Sequence, residues 1–83
     1  VLHKKPRLSS IEEWQLYVVQ SFPGIGPKLA ISILKTLGTV ERFCTASITE
    51  LSKVPGLGER RAELIKRILK APFRLERSKK PHS

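Results

Sequence analysis

The sequence predicts an all-α fold of about five short helices, and three observations support this prediction. Apolar residues recur at helical spacing between the turns, and no segment is predicted to be a strand. Ser10 and Ser47 are each followed three residues later by glutamate, a pattern typical of a helix start. Proline–glycine pairs interrupt the apolar pattern at Pro23 and Pro55. Because the chain has only 83 residues, these helices belong to one small domain.

The first half of the chain predicts two helices joined by a turn. The first helix is expected to begin after Ser10 and to end at the break formed by Pro23-Gly24. One stripe of this helix and the turn after it carries the apolar residues Ile11, Trp14, Val18 and Phe22. The second helix is expected to begin at Pro27, because the first helical position needs no N–H, and Gly38 suits its C-terminal cap. Its apolar face consists of Leu29, Ala30, Ile33, Leu34 and Leu37.

The second half predicts the same arrangement after a short connecting helix. The connecting helix is expected from Val40 to about Thr45, with Thr39 as its N-cap. A fourth helix begins after Ser47 and ends before Pro55, and a fifth extends from about Glu59 to Lys70. The residues of the fifth helix expected to face inward are Ala62, Ile65, Ile68 and Leu69.

A repeated phrase relates the two halves. The segments "FPGIGPKLA" (Phe22–Ala30) and "VPGLGERRA" (Val54–Ala62) share one pattern at an offset of 32 residues. Such duplication predicts two copies of one helix–turn–helix unit packed on each other. The aliphatic residue between the two glycines, Ile25 or Leu57, is expected to point inward and anchor its turn.

The repeated turn has the features of a phosphate-binding site. Paired glycines allow positive φ angles and leave the backbone bare, and each second glycine lies at a helix start, where free N–H groups and the helix dipole favour an anion. A single turn of this kind is usually only a connection, but two copies with basic residues on a chain of formal net charge +9 favour phosphate binding. The predicted contact residues are Gly24, Ile25, Gly26, Lys28, Gly56, Leu57, Gly58, Arg60 and Arg61.

Such contacts predict binding to the nucleic-acid backbone rather than to the bases. No aromatic platform accompanies the basic residues, so binding is expected to depend on salt and DNA shape and not on base sequence. The two turns are expected to contribute unequally, because Pro27 removes an N–H from the first and Glu59 adds a negative charge to the second. A dinucleotide-binding loop is not supported, since no strand precedes either turn and a third glycine is missing.

Charge and cysteine content limit the remaining interpretations. Residues 1–9, 10–72 and 73–83 each carry a net charge of +3, which predicts a folded domain between a basic N-terminal extension and a basic C-terminal tail. Cys44 is the one cysteine, so an internal disulfide is excluded, and the residue is expected to be a small buried hydrophobe. No apolar segment approaches the length needed to span a membrane.

The two repeated segments resemble a known motif. "PGIGPKLAISIL" and "PGLGERRAELIKRIL" resemble the helix-hairpin-helix DNA-binding motif, and their tandem arrangement resembles the double helix-hairpin-helix, or (HhH)2, domain. The closest likeness is to the C-terminal domain of archaeal XPF/Hef-type structure-specific endonucleases, over roughly residues 10–73. The resemblance implies a DNA-repair module that binds flap, branched or single-strand/duplex junction DNA through its backbone.

The resemblance also implies a homodimer. A hydrophobic residue just after the last helix packs into the partner in this family, and Phe73 occupies that position, with Trp14 and Tyr17 as further candidates for the interface. The alternative is that Phe73 or Trp14 packs on its own domain. The alternative function is correspondingly a module mainly for protein dimerisation or docking, with weak DNA affinity.

Catalysis is expected to lie elsewhere. The nuclease domain of this family holds a divalent metal with clustered acidic residues, whereas this chain has no Asp and its seven Glu are scattered. We therefore expect no catalytic residue, metal or cofactor in this chain. The chain begins at Val1 and has no Met, which predicts a longer parent protein whose nuclease domain would use Mg²⁺. The resemblance further implies an intracellular, DNA-associated protein, cytoplasmic or in the nucleoid if archaeal, with other repair or replication proteins as candidate partners.

Overall fold

Five α-helices joined by short turns form the computed structural model, which describes residues 10–75. In chain order the helices are α1 (Ile11–Gln20), α2 (Pro27–Leu37), α3 (Val40–Thr45), α4 (Ile48–Ser52) and α5 (Gly58–Lys70). No strand occurs within residues 10–75, so the predicted all-α class is confirmed. The basic N-terminal extension and all but the first residues of the C-terminal tail lie outside the described residues, and their proposed boundaries stay predictions.

Three of the five helices have an N-cap side chain that accepts a hydrogen bond from the first turn. The Oγ of Ser10 accepts a hydrogen bond from the N–H three residues later at 3.1 Å, and the Oγ1 of Thr39 does the same at 2.9 Å. Ser47 and Glu50 form a complete reciprocal capping box. By contrast, α2 and α5 begin without any side-chain cap hydrogen bond. The two helices that follow the proline–glycine turns are therefore the ones whose N-terminal N–H groups remain open.

The hydrophobic core lies where the two helix–turn–helix units meet the connecting helix α3. Phe43 of α3 is fully buried, and its ring meets that of Phe22 edge to face at a centroid distance of 5.1 Å. Helix α1 packs on α2, α2 packs on α3, and α4 packs on α5. The buried cluster consists of Val19, Ile25, Ala30, Ile33, Phe43, Ala46, Leu51, Val54, Leu57, Ala62 and Ile65. Equivalent positions of the repeat are thus buried together, as the duplication predicts.

Two helices, α1 and α5, expose apolar side chains to solvent. On α1 the predicted stripe faces outward: Ile11 is 69% exposed and Trp14 43% exposed, while Val19 is buried. On α5, Ile68 is 45% exposed, so its predicted inward position is wrong. The physical reason is that α4, the chief neighbour of α5, is too short to cover more than the stripe centred on Ile65.

Cys44 is a free thiol in a half-buried position and packs against the core. Its backbone carbonyl accepts a hydrogen bond from the Nζ of Lys66 at 3.2 Å, which joins α3 to α5. The prediction that Cys44 is a small hydrophobe of the interior therefore holds in part, because one side remains accessible. None of the described helices is both long and apolar enough to cross a membrane.

Candidate nucleic-acid interface

Two turns that share one internal hydrogen bond connect the helix pairs. The first hairpin (residues 21–26) joins α1 to α2, and the second hairpin (residues 53–57) joins α4 to α5. The N–H of Ile25 donates to the carbonyl three residues before it at 3.3 Å, and the N–H of Leu57 does the same at 3.1 Å. Both side chains are buried, as predicted. These two predicted contact residues therefore anchor the turns and offer a ligand neither a free N–H nor an exposed side chain.

The glycines of the two hairpins are only partly equivalent. Gly24 and Gly56 have φ angles of +78° and +87°, the left-handed region that favours glycine. Gly58, the first residue of α5, also has a positive φ, at +80°. Gly26 instead has a φ of −92° and a ψ of −174°. The reason is Pro27, because proline drives the residue before it into extended conformations.

Open backbone donors surround both hairpins. Each hairpin leads into a helix, α2 or α5, whose start is not capped by a side chain. The N–H groups that donate to no acceptor within the described residues include those of Gly26, Lys28, Leu29, Gly58, Glu59 and Arg60. Together with the positive end of the helix dipole, such groups suit an anionic oxygen. The missing N–H of Pro27 interrupts this set at the first hairpin only.

Basic side chains lie exposed beside these donors. Lys28 and Arg60 occupy the first turns of α2 and α5. Between described residues, the salt bridge joins Arg42 to Glu50, so neither of the two basic residues has an acidic partner there. Lys53, the residue after the last residue of α4, is also exposed and was not predicted as a site residue. Its signal in the sequence was its place three residues before Gly56.

Arg61 differs from the other predicted basic contacts. Its Nη1 donates to the carbonyl oxygens of Gly56 and Leu57, each at 3.2 Å. Its Nε passes the first hairpin so closely that a Cβ built on Gly24 would lie 2.9 Å from it. One arginine therefore contacts both hairpins, although its side chain remains exposed overall.

Helix α2 makes the reciprocal contact with the second hairpin. The Oγ of Ser32 donates to the carbonyl oxygen of Pro55 at 3.3 Å. A Cβ built on Gly56 would lie 3.6 Å from Cδ1 of Leu29. Leu29 and Arg61 occupy the same position of the repeat, so the second helix of each unit packs on the hairpin of the other. This approximate two-fold arrangement brings the two hairpins side by side.

Of the residues predicted for a dimer interface, Phe73 and Trp14 are exposed and Tyr17 is half-buried. Phe73 is 86% exposed, so it does not fold onto its own domain. Trp14 contacts Tyr17 edge to face, with ring centroids 5.8 Å apart, and does not belong to the buried cluster. Phe73 therefore does not pack on its own domain, whereas Trp14 is partly covered and packs against Tyr17 of its own helix.

Acidic side chains do not gather near either hairpin. Within residues 10–75 no group of three or more His, Cys, Asp or Glu could hold a metal ion. Glu50 is the acidic group with a distinct environment: the backbone N–H of Ser47 donates to its carboxylate, and together with the nearby Arg42 charge this lowers the pKa of Glu50. This carboxylate joins α3 to α4 and is part of the fold.

Known proteins share this fold at high sequence identity. A structure of XPF from Aeropyrum pernix matches with 61% identity and a TM-score of 0.81, over 89% of this chain and 35% of that chain. Another, XPF from Aeropyrum pernix in complex with DNA, matches with 60% identity and a TM-score of 0.78, over 82% of this chain and 34% of that chain. The 3′-flap repair endonuclease Xpf of Saccharolobus solfataricus is 43% identical over 72 residues, 87% of this chain and 30% of its own length. The chain thus spans about a third of the length of these relatives.

A family model matches most of the described residues. The model, described as a SAM-like helix-hairpin-helix tandem, covers residues 17–71 and so includes both hairpins and all or part of every helix. The observed order of helices and the two equivalent turns agree with that tandem architecture. The chain is similar to archaeal XPF and belongs to the SAM-like helix-hairpin-helix tandem family.

Proposed function

We propose that this chain binds DNA through backbone phosphates at both hairpins, without reading base sequence, as the non-catalytic module of an XPF-like structure-specific endonuclease. The observation that carries this proposal is the pair of uncapped helix starts, held side by side and each flanked by an exposed basic side chain that has no acidic partner within residues 10–75. The similarity to XPF from Aeropyrum pernix, one of whose structures is a complex with DNA, supports the same function.

The chemistry of the hairpins suits phosphate better than a base. A phosphate oxygen accepts several N–H groups at once, and Lys28 and Arg60 supply charge beside each set of donors. No Cβ projects from Gly26 or Gly58, and a Cβ added at either residue would meet no other atom within 4 Å. A bulky phosphodiester can therefore reach the backbone there.

The substitution Gly26→Val tests this proposal. The φ of Gly26 is negative and the surrounding space is open, so valine fits the fold. Its side chain would, however, project from the open start of α2 and keep a phosphate away. We expect the affinity for flap DNA to fall roughly tenfold, about 1.4 kcal/mol, with little change in the unfolding temperature. Fluorescence anisotropy with a labelled flap duplex measures the affinity.

A matched control is Thr36→Val, at an exposed position near the other end of α2. It should bind as the wild type does. If Gly26→Val also folds and binds like the wild type, the first hairpin is not a DNA-binding site. Comparison of the flap with a blunt duplex of equal length tests the finer part of the proposal, because preference for branched DNA requires tighter binding to the flap.

We also propose that two copies of the chain associate. The supporting observations are the outward stripe on α1 and the almost fully exposed Phe73, since exposed aromatic and aliphatic groups of this kind are typical of interfaces. Sedimentation equilibrium should reveal a dimer of the wild type that Phe73→Ala weakens. The control Ile31→Ala removes an exposed apolar residue of α2 and should leave association unchanged. A wild type that stays monomeric at high concentration rejects this proposal and the dimer role of Phe73.

We propose further that cleavage belongs to a part of the parent protein outside this chain, with Mg²⁺ bound there, and that the protein works on DNA inside the cell. The proposal rests on the absence of Asp and on the share of each XPF relative that this chain covers. The chain incubated with flap DNA and Mg²⁺ should leave the DNA intact. Cleavage that survives further purification would show that a catalytic site has been missed.

A further inference from the structure

We propose that Arg61 is a positioning residue that holds the two hairpins at a fixed separation, and is not itself a phosphate ligand. The inference rests on the proposed DNA-binding function and deepens it, because it names the side chain that makes the two phosphate-binding turns one rigid unit. It also reassigns one of the residues that the sequence predicts as a DNA contact.

The contacts of Arg61 join the two hairpins. The guanidinium Nη1 donates to two carbonyl oxygens of the second hairpin, those of Gly56 and Leu57, each at 3.2 Å. The stem and Nε lie against the first hairpin, with Nε 2.9 Å and Cδ 3.5 Å from the position of a Cβ on Gly24. The hydrogen bonds fix the side chain on the second hairpin, so approach of the first hairpin would drive Gly24 into the stem and its withdrawal would remove this contact.

The repeat shows what the arginine adds. Leu29, the equivalent residue of α2, packs on Gly56 with its methyl group at 3.6 Å from a Cβ position there and has no polar group to donate. Arg61 makes the same kind of apolar contact with its stem and adds charge-assisted hydrogen bonds to carbonyl oxygens. The neighbouring Arg60 makes no such contact within the described residues, so it is the arginine whose charge is left for a phosphate.

A positioning role and a ligand role have different consequences for DNA binding. Removal of a phosphate ligand lowers the slope of log K against log[salt] by about 0.9, because one fewer counterion is released. Loss of a positioning residue leaves the remaining phosphate contacts unchanged but loosens their arrangement, so affinity falls by a similar factor at low and high salt.

The contact itself can be tested without DNA, in the full chain. Gly24→Ala and Gly56→Ala both place alanine at a positive φ, but only the methyl at residue 24 meets Arg61. Gly24→Ala should therefore lower the unfolding temperature further than Gly56→Ala, because the added methyl displaces the Arg61 side chain from its hydrogen bonds. The double variant Gly24→Ala/Arg61→Ala should lose less free energy of unfolding than the two single variants lose together, because removal of the arginine side chain removes the clash. Strict additivity would overturn the proposed contact.

DNA binding then separates the two roles. Arg60→Leu should reduce the salt slope by about 0.9 and leave the unfolding temperature unchanged. Arg61→Leu, which places at this position the residue that the first unit has, should lower the unfolding temperature and weaken flap binding by one factor at all salt concentrations, with the slope retained. A slope that falls as far as in Arg60→Leu, without loss of stability, would make Arg61 a ligand and overturn the proposal. If neither variant changes DNA binding, the proposed DNA function fails, whereas the Gly24–Arg61 cycle still decides whether the contact joins the hairpins.

Discussion

Gly26 and Gly58 occupy the same position of the repeat but have opposite signs of φ. Pro27 follows the first and Glu59 the second, and only proline restricts the residue before it. Because of this one difference in sequence, the φ of Gly26 is one that any residue can adopt, whereas the positive φ of Gly58 favours glycine. At the residue scale, then, the two hairpins tolerate substitution differently although their glycine patterns are identical.

We expect Gly58→Ala to lower the free energy of unfolding by about 1–2 kcal/mol, because an L-residue at positive φ is strained even where space is open. Gly26→Ala should change it by less than about 0.5 kcal/mol, because the lower backbone entropy of alanine in the unfolded chain offsets the preference of an N-cap for glycine over alanine. Urea denaturation of both variants measures these values. Equal losses at the two positions would contradict the assigned backbone conformations.

Glu50 gives the fold a pH dependence. Its pKa is lowered in the folded state, first by the hydrogen bond from the Ser47 N–H and then by Arg42. A lowered folded pKa means that the carboxylate stabilises the fold above the unfolded pKa, and that this contribution is lost as the pH falls through the folded pKa. Glu50→Gln should therefore unfold at a lower temperature than the wild type at about pH 7, and the difference should narrow at about pH 3.

Glu63→Gln, on the exposed surface of α5, is the matched control and should follow the wild type at both pH values. Thermal unfolding followed by circular dichroism provides the measurement. A difference between wild type and Glu50→Gln that stays constant through the acidic range would mean that the charge of Glu50 does not contribute.

At the scale of the helices, capping divides the five helix starts into two kinds. Those of α1, α3 and α4 are closed by Ser or Thr side chains and contribute to stability. Those of α2 and α5 are open and lie at the hairpins. If DNA binds at the open starts, as proposed, stability and binding depend on different helix starts, and each can be altered without the other.

Ser47→Ala should lower the free energy of unfolding by about 1 kcal/mol, because it removes the capping acceptor of α4. Thr49→Ala, an exposed change in the same helix, should have a smaller effect. Neither change should alter the affinity for flap DNA at a temperature where the variant is folded. Urea denaturation and anisotropy together check the separation, and a parallel loss of affinity in Ser47→Ala would contradict it.

The sequence was sufficient for features encoded by local chemistry. Caps at Ser10, Thr39 and Ser47 and the proline at the start of α2 marked helix starts that the structure confirms. Helix α5 begins at Gly58, one residue before the predicted start. The inward anchors Ile25 and Leu57 were likewise predicted and are buried, because an apolar residue between two bare glycines has no other neighbour to pack against than the core.

Features set by tertiary packing could not be predicted in the same way. The outward orientation of the α1 stripe and of Ile68 depends on which neighbouring helix is long enough to cover each face. The position of Arg61 depends on a contact between segments far apart in sequence, so its charge alone suggested a phosphate ligand. The extended conformation of Gly26, by contrast, could have been inferred from the proline that follows it.

Considered as a whole, the molecule combines a formal net charge of +9 with two side-by-side hairpins. We assume that one phosphate is neutralised by each of Lys28, Lys53 and Arg60. A plot of log K for duplex DNA against log[salt] should then fall with a slope of about −2.7 or steeper. Duplexes rich in A·T or in G·C should bind equally, because no base contact is proposed. Anisotropy titrations between about 50 and 200 mM salt measure both quantities. A flat salt dependence or a strong base preference would contradict phosphate binding.

The open starts of α2 and α5 have a consequence for folding as well as for binding. Their N–H groups have no acceptor in the described part of the chain, so a bound phosphodiester would supply the hydrogen bonds that serine and threonine supply elsewhere. Ligand and fold would then be thermodynamically linked. We expect DNA to raise the unfolding temperature and to slow the exchange of the amide hydrogens at residues 26, 28 and 29. A bound nucleic acid would then complete the hydrogen bonding of two helices of the protein.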